Sequence, residues 1–292
     1  MNIVARLKTK DEIKTLVDLG VNVFLLDVNN LTTKSIYPLS INELIEVTKK
    51  INNFNKHVYL LLNKIIHEDD INKVEALFSK LQDEKIQGIV IYDLTVYVIA
   101  KKFNLENKII YQPGTMNTNS YDAYYFNNKI KGITLSKEIT FSEITQIVNS
   151  NNYNLEYSII GHGYLDMFYS KRKLITNYYK HKNIKPNNIK NNYTFVLNEK
   201  TRKEAFYPII EDDFGTHIFR NKKLESFKEF TKISVNDLFI ERLFIDDQEY
   251  YDAIKAYKNV AYQREFLSKY DNFDKGFYYL PTEKVKGDRD ED

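Results

Sequence analysis

From its first residues to about residue 160 the chain alternates short apolar runs with amphipathic helical patterns, and this alternation constrains the fold more than any other feature. Runs at Asn2–Ala5, Val21–Leu26, Lys56–Leu62, Gly88–Tyr92, Lys108–Gln112, Gly132–Leu135, Leu155–Ile160 and Leu238–Ile245 read as strands. Most are continuously apolar, the pattern of parallel strands covered on both faces. Helical patterns at Lys10–Leu19, Ile41–Asn53, Asp69–Leu81, Leu94–Phe103 and Thr140–Asn149 separate them, with Asp93 and Thr140 placed as N-caps. Eight strands with intervening helices in 292 residues predict an α/β fold, a (β/α)8 TIM-like barrel. An open doubly wound sheet is the alternative, but the Gly-x-Gly-x-x-Gly of a dinucleotide site does not occur.

The βα rhythm breaks between residues 180 and 220. Tyr193–Leu197, Ala205–Ile210 and Thr216–Arg220 read as a β-hairpin insertion before the last strand, turning at Asp212-Asp213-Phe214-Gly215. A helix from Asp247 to about Tyr270 is expected to close the barrel. One domain is expected over residues 1–280, with 181–221 as basic linker and hairpin insertion, and 281–292 as a disordered charged tail.

Composition excludes several chemistries. The absence of cysteine removes disulfides, thiolate zinc sites, cysteine nucleophiles and ordinary iron–sulfur ligation. No apolar run approaches the roughly 20 residues that span a bilayer, and the N-terminus lacks a signal-peptide pattern. A cytoplasmic protein with no membrane partner is the expectation. A net charge of +2 does not by itself imply a polyanion partner, so only the distribution of charge is informative.

Barrel chemistry sits where strands end. Those positions hold Asp27, Asn63, Asp93, Gln112, Lys137 with Glu138, His162 and Asp246. His67-Glu68-Asp69-Asp70 reads first as an acidic helix start rather than a carboxylate–imidazole site. His162 reads as a general base or substrate donor on a glycine-flanked turn, or as a histidine bracing that turn. Ser170 lies too far along the sequence for spacing alone to place it on His162, which leaves a Ser-His-acid triad weak. Glu211, Asp212 and Asp213, with His217 nearby, read as a solvated hairpin turn before they read as paired catalytic acids. From Met167 to Asn198 there is no Asp or Glu, yet Lys171, Arg172, Lys173, Lys180, Lys182, Lys185 and Lys190 interleave with aromatic residues such as Tyr178. Such a strip suits phosphates and unpaired bases, although a solvated helix face would look similar.

The elements His162-Gly163, Tyr169-Ser170-Lys171-Arg172 and Asn177-Tyr178, with Tyr207-Pro208, Glu211-Asp212 and Gly215-Thr216 further on, resemble the signature of the U32 (collagenase-like) peptidase family. Asn63 with the acidic loop, Lys137-Glu138, Ile240-Glu241 and Gly276-Phe277 follow in the family's order, although Arg242 replaces a usual Gly. The chain looks most like the short, cysteine-poor branch associated with prephenate-dependent tRNA hydroxylation, which forms 5-hydroxyuridine at the wobble position.

That resemblance implies tRNA as partner, prephenate as co-substrate, and a cysteine-containing paralogous subunit carrying an iron–sulfur cluster. Asp166, Lys173 and Glu225 stand at or near positions that carry cysteine in relatives, so no cofactor or metal is expected on this chain. It also implies His162, Arg172 and Glu241 as catalytic or substrate-holding groups, with a buried Arg172–Glu241 ion pair equally open. Asn63, Gln112, Glu138, Tyr169, Ser170 and Asn177 are the expected substrate contacts. Lys171, Arg172, Lys173, Tyr178, Lys180 and Lys182 are the expected RNA contacts, with no DNA partner. Peptide hydrolysis, after the family label, and a non-catalytic scaffold are the alternatives.

Overall fold

A computed structural model describes residues 1–150, 153–184 and 193–281. Its parallel strands are β1 (Asn2–Arg6), β2 (Val23–Val28), β4 (His57–Leu62), β5 (Gly88–Ile91), β6 (Ile109–Tyr111), β7 (Gly132–Thr134), β8 (Glu156–Ser170) and β12 (Asp237–Ile240). They pair in that order, and β12 returns to both β8 and β1, closing the barrel. A short strand β3 (Pro38–Leu39) flanks β2. Helices α1 (Ile13–Asp18), α2 (Ile41–Asn52), α3 (Glu68–Leu81), α4 (Leu94–Lys102), α5 (Ser120–Phe126) and α6 (Phe141–Asn149) lie between the strands.

The continuous apolar runs follow from this geometry. Alternate side chains of a barrel strand face inward and outward, and here both directions are dry. Val4, Val23, Leu25, Leu61, Val90, Ile110 and Phe239 pack together as one buried cluster, while Ile3, Ala5, Phe24, Leu26 and Leu60 join the larger core that includes the helices. Helix starts are set locally: Ser40 with Glu43 and Thr140 with Glu143 form reciprocal caps, and Asp93 accepts from the Thr95 amide at 2.8 Å.

β8 has two roles along one strand. Glu156–Ile160 pairs parallel with β7 and β12, whereas the stretch from His162 to Ser170 pairs antiparallel with β11 (Gly215–Glu225). β11 pairs with β10 (Phe206–Asp212), which pairs with β9 (Tyr193–Asn198), so the expected insertion is a sheet extension growing directly out of a barrel strand. Gly163 permits the change of direction. It has φ of +99°, and a Cβ there would sit 2.7 Å from the Glu241 carbonyl oxygen.

Several expectations need correction. His162 lies within β8 and not on a turn. The last barrel strand stops at Ile240 rather than Ile245, before a loop in which Phe244 has φ of 62°. The single closing helix is α8 (Asp247–Lys258), a 3-10 turn at Val260–Tyr262 and α9 (Gln263–Lys269). Asn259 breaks it by accepting from the Ala261 amide at 3.0 Å, a local cap that competes with helix continuation. Helices α5 and α7 (Leu174–His181) were not expected, and a last short strand, β13 (Phe273–Asp274), pairs with β11. Residues 185–192, with Lys185 and Lys190, and the tail from 282 onward lie outside the described residues. No helix among the described residues is long and apolar enough to cross a membrane.

Candidate functional site

A cavity of about 170 Å³ opens at the carboxyl ends of the barrel strands. Its floor includes Leu25, Leu61 and Ile160 from the strands, and its far wall is the outer half of β8, from Tyr164 to Tyr169, with His217 and Phe219 of β11. The hairpin sheet therefore roofs the mouth. Gly215 permits that close approach, because a Cβ there would collide with the Ser170 carbonyl oxygen.

Charged groups converge on this cavity. Arg6 forks onto Asp27, Nε to Oδ1 at 2.7 Å and Nη2 to Oδ2 at 2.9 Å, and both side chains are buried. Burial works against the Arg6 charge, but Asp27 overcomes it and the guanidinium pKa is raised. Asp27 also accepts from the Ile36 and Tyr37 amides and the Ser35 hydroxyl, fixing the loop after β2. In that loop Lys34 has φ of 53°, a left-handed conformation held from both sides. Its carbonyl accepts from Arg6 at 2.8 Å and its amide donates to Asp212 of the hairpin at 2.7 Å. The Lys34 ammonium thereby reaches Asp166 at 2.5 Å.

Asp166 also bonds His217 Nδ1 at 2.9 Å, and the imidazole stacks on Tyr169 with centroids 4.4 Å apart. Burial alone would raise the Asp166 carboxyl, but Lys34, His217 and Lys137 together hold it well below the usual carboxylate range. His217 is pushed down, first by burial and then by Lys34, against the pull of Asp166. Tyr169 is pushed up to about 12 by burial, with Asp212, Tyr92 and Asp166 adding to it. Lys137 Nζ donates to the backbone carbonyl of Asp166, and its pKa is lowered chiefly by burial.

The expected site residues divide in two. Glu241, Asn63, Gln112 and Tyr169 line the cavity, with Asn63 accepting from the Thr33 amide at 2.8 Å and Gln112 donating to Thr134 at 3.2 Å. His162, Arg172, Glu138, Ser170 and Asn177 do not line it. His162 is 0% exposed among Phe227, Tyr257, Phe266 and Phe273, with its pKa pushed down to about 3 by burial and then by Lys223. Its glycine-flanked position reflects strand packing, not reach into the mouth. Arg172 is exposed, so a buried Arg172–Glu241 pair does not form. Ser170 Oγ accepts the Arg172 amide at 3.2 Å.

Other polar residues at the strand ends serve structure. Asp93 and Asp246 cap helices, and Asp70 is held by Lys64 at 2.7 Å and Lys73 at 2.9 Å at the start of α3. Glu211 corrects the solvated-turn reading. It is 2% exposed and accepts from the Ile175 amide at 2.7 Å, the Thr176 amide at 3.1 Å and Thr216 Oγ1 at 2.9 Å, fixing the first turn of α7. Lys34 and Arg6 could not be singled out from sequence. Only their closeness to strand ends hinted at them, because their roles depend on contacts distant in sequence.

The positions where the resemblance expects cysteine do not fit a thiolate-held cluster. Asp166 is held by Lys34 and His217, Lys173 pairs with Asp213 at 2.8 Å, and Glu225 bonds Lys275 at 2.9 Å and the Phe227 amide at 2.5 Å. Among the described residues no group of three His, Cys, Asp or Glu could hold a metal ion.

Fold and site together define a (β/α)8 barrel with a roofed, charged cavity at its mouth. The model of peptidase family U32 matches residues 8–271, and the chain belongs to that family. It is similar to tRNA hydroxylation protein P2 of Bacillus subtilis (strain 168), at 30% identity over 179 residues, 59% of this chain and 57% of that protein. It is also similar to the uncharacterized protease MJ0090 of Methanocaldococcus jannaschii, 26% identical over 57% of this chain and 41% of that protein. The collagenase of Porphyromonas gingivalis is 23% identical over 89% of this chain and 66% of that protein. The chain thus spans about two fifths to two thirds of the length of these relatives. Among solved structures, the U32 peptidase Mk0906 superposes with a TM-score of 0.52 at 13% identity, covering 82% of this chain and 92% of that one, a likeness of fold.

Proposed function

We propose that this chain acts in tRNA modification, in the 5-hydroxylation of a wobble uridine, with the barrel-mouth cavity as its working site. The observation that carries the reading is the 30% identity to tRNA hydroxylation protein P2. In the same proposal prephenate is the co-substrate, and any iron–sulfur cluster belongs to a cysteine-containing paralogous subunit.

The surface supports an RNA partner. Lys171, Arg172, Tyr178, Lys180 and Lys182 are exposed, while Lys173, also exposed, is engaged with Asp213. These residues directly follow the segment of β8 that walls the cavity. A phosphate backbone held along this strip would lie beside the mouth, with Phe168 and Tyr178 exposed for stacking. The peptidase reading has weaker support: among the described residues Ser170 does not line the cavity, and Asp166 already bonds His217 and Lys34.

Nucleoside mass spectrometry of tRNA from cells lacking the gene, and from cells with it restored, tests the proposal. Loss and recovery of 5-hydroxyuridine derivatives is the expected result. Unchanged nucleosides in the deletion strain would overturn it.

A further inference from the structure

Two opposite charges line the cavity without meeting. Lys137 follows the end of β7 and Glu241 follows the end of β12, the two strands that flank β8. Among the described residues neither forms an ion pair. The Lys137 ammonium donates instead to the neutral backbone carbonyl of Asp166, whose carboxylate is occupied by Lys34 and His217. A largely buried lysine ordinarily has a carboxylate partner. Here Glu241, which lines the same cavity and also acts electrostatically on Arg6, does not pair with it directly.

We propose that Lys137 is the nucleophilic amine of this cavity, condensing with a small carbonyl compound to form an imine while Glu241 moves the protons. Nζ attacks the carbonyl carbon, the C=O π bond breaks onto oxygen, and the nitrogen's proton passes to Glu241. Glu241 delivers that proton to the alkoxide, giving the carbinolamine, then relays the second nitrogen proton to its hydroxyl as water leaves and the C=N bond forms, so both protons end in the water and no oxidant or reductant is required. The volume of about 170 Å³ suits a small molecule.

The surroundings keep the amine reactive. Burial is the largest influence and favours the neutral form, and Lys34 from the loop after β2 acts in the same direction. Asp166 on β8, Glu138 beside Lys137 in sequence and Glu241 after β12 oppose them, and burial prevails. A second ammonium nearby is a general means of activating a lysine. This inference does not depend on the RNA reading, since it rests only on the cavity.

Reductive amination of the intact chain with limiting glyoxylate and cyanoborohydride, followed by peptide mapping, tests it. Lys137 should be modified several-fold faster than exposed Lys171 at neutral pH, and Lys137→Arg should lose that adduct alone. Glu241→Gln keeps the amine but should slow its modification, and Lys34→Met should move the pH profile of labelling at residue 137 upward. Circular dichroism melts establish that each variant is folded. Labelling of Lys137 no faster than Lys171 in the folded wild-type chain, or a rate unaffected by Glu241→Gln, would overturn the proposal.

Discussion

Asp27 and His162 both occupy positions where barrel chemistry is expected, yet each does something different from what position alone implies. Asp27 neutralises buried Arg6 and gathers three donors from the loop that carries Lys34. Removing one partner of such a pair leaves a buried charge uncompensated. Asp27→Asn is therefore expected to destabilise the fold by about 3 kcal/mol in urea unfolding. His162 is buried neutral, with a folded pKa of about 3. In the unfolded chain its pKa is about 6.5. Between those values the unfolded state binds the extra proton, so stability is lost as pH falls from about 6.5 toward 3. The contribution of this one group approaches about 1.4 kcal/mol per pH unit. His162→Phe, which suits the aromatic surroundings, should flatten the fall in stability between pH ~6 and ~4 in denaturant melts. A slope equal to wild type would show that the buried imidazole is not what acid titrates. Sequence placed both residues near strand ends. It could not tell which way His162 faces, because a β-strand side chain changes face with each residue and the extra residue at Gly161, between Ile160 and His162, resets the count.

At the level of elements, β8 is the pivot between barrel and hairpin sheet. Gly163→Ala would force a Cβ against Glu241 in a backbone conformation that side chains rarely adopt. It should cost roughly 2 kcal/mol or more in unfolding free energy. Helix α7 depends on Glu211, so Glu211→Ala should raise amide exchange at residues 174–181 well before the barrel strands respond. Unchanged exchange there would contradict the anchoring role. The barrel strands and helices α2, α3, α4 and α6 were legible because their apolar periods and caps are local. α7 was not, because its N-terminal partner, Glu211, comes from another strand far along the chain. The long closing helix was overread, since its apolar period continues past Asn259 while the backbone does not.

Across the whole molecule, the hairpin sheet turns an ordinary barrel mouth into a roofed cavity and continues into a basic surface. If that surface holds RNA, replacing Lys171, Arg172, Lys180 and Lys182 with Ala should weaken tRNA binding and lower the salt slope by about one for each phosphate no longer neutralised. Filter binding across a salt series reads both. The polar half of the site was partly legible: Asn63, Gln112, Tyr169 and Glu241 were expected and line the cavity. Its cationic half was not, since Lys34 and Arg6 meet Asp166 and Asp27 through the tertiary fold alone. The proposed function places the chemistry in this cavity and not at the buried His162. The most direct test is to rescue a deletion strain with Glu241→Gln, Lys34→Met or His162→Phe, each matched for protein level, and quantify tRNA nucleosides by mass spectrometry. A working cavity predicts that His162→Phe restores 5-hydroxyuridine derivatives while the two cavity variants do not; restoration by the cavity variants with failure of His162→Phe would contradict it.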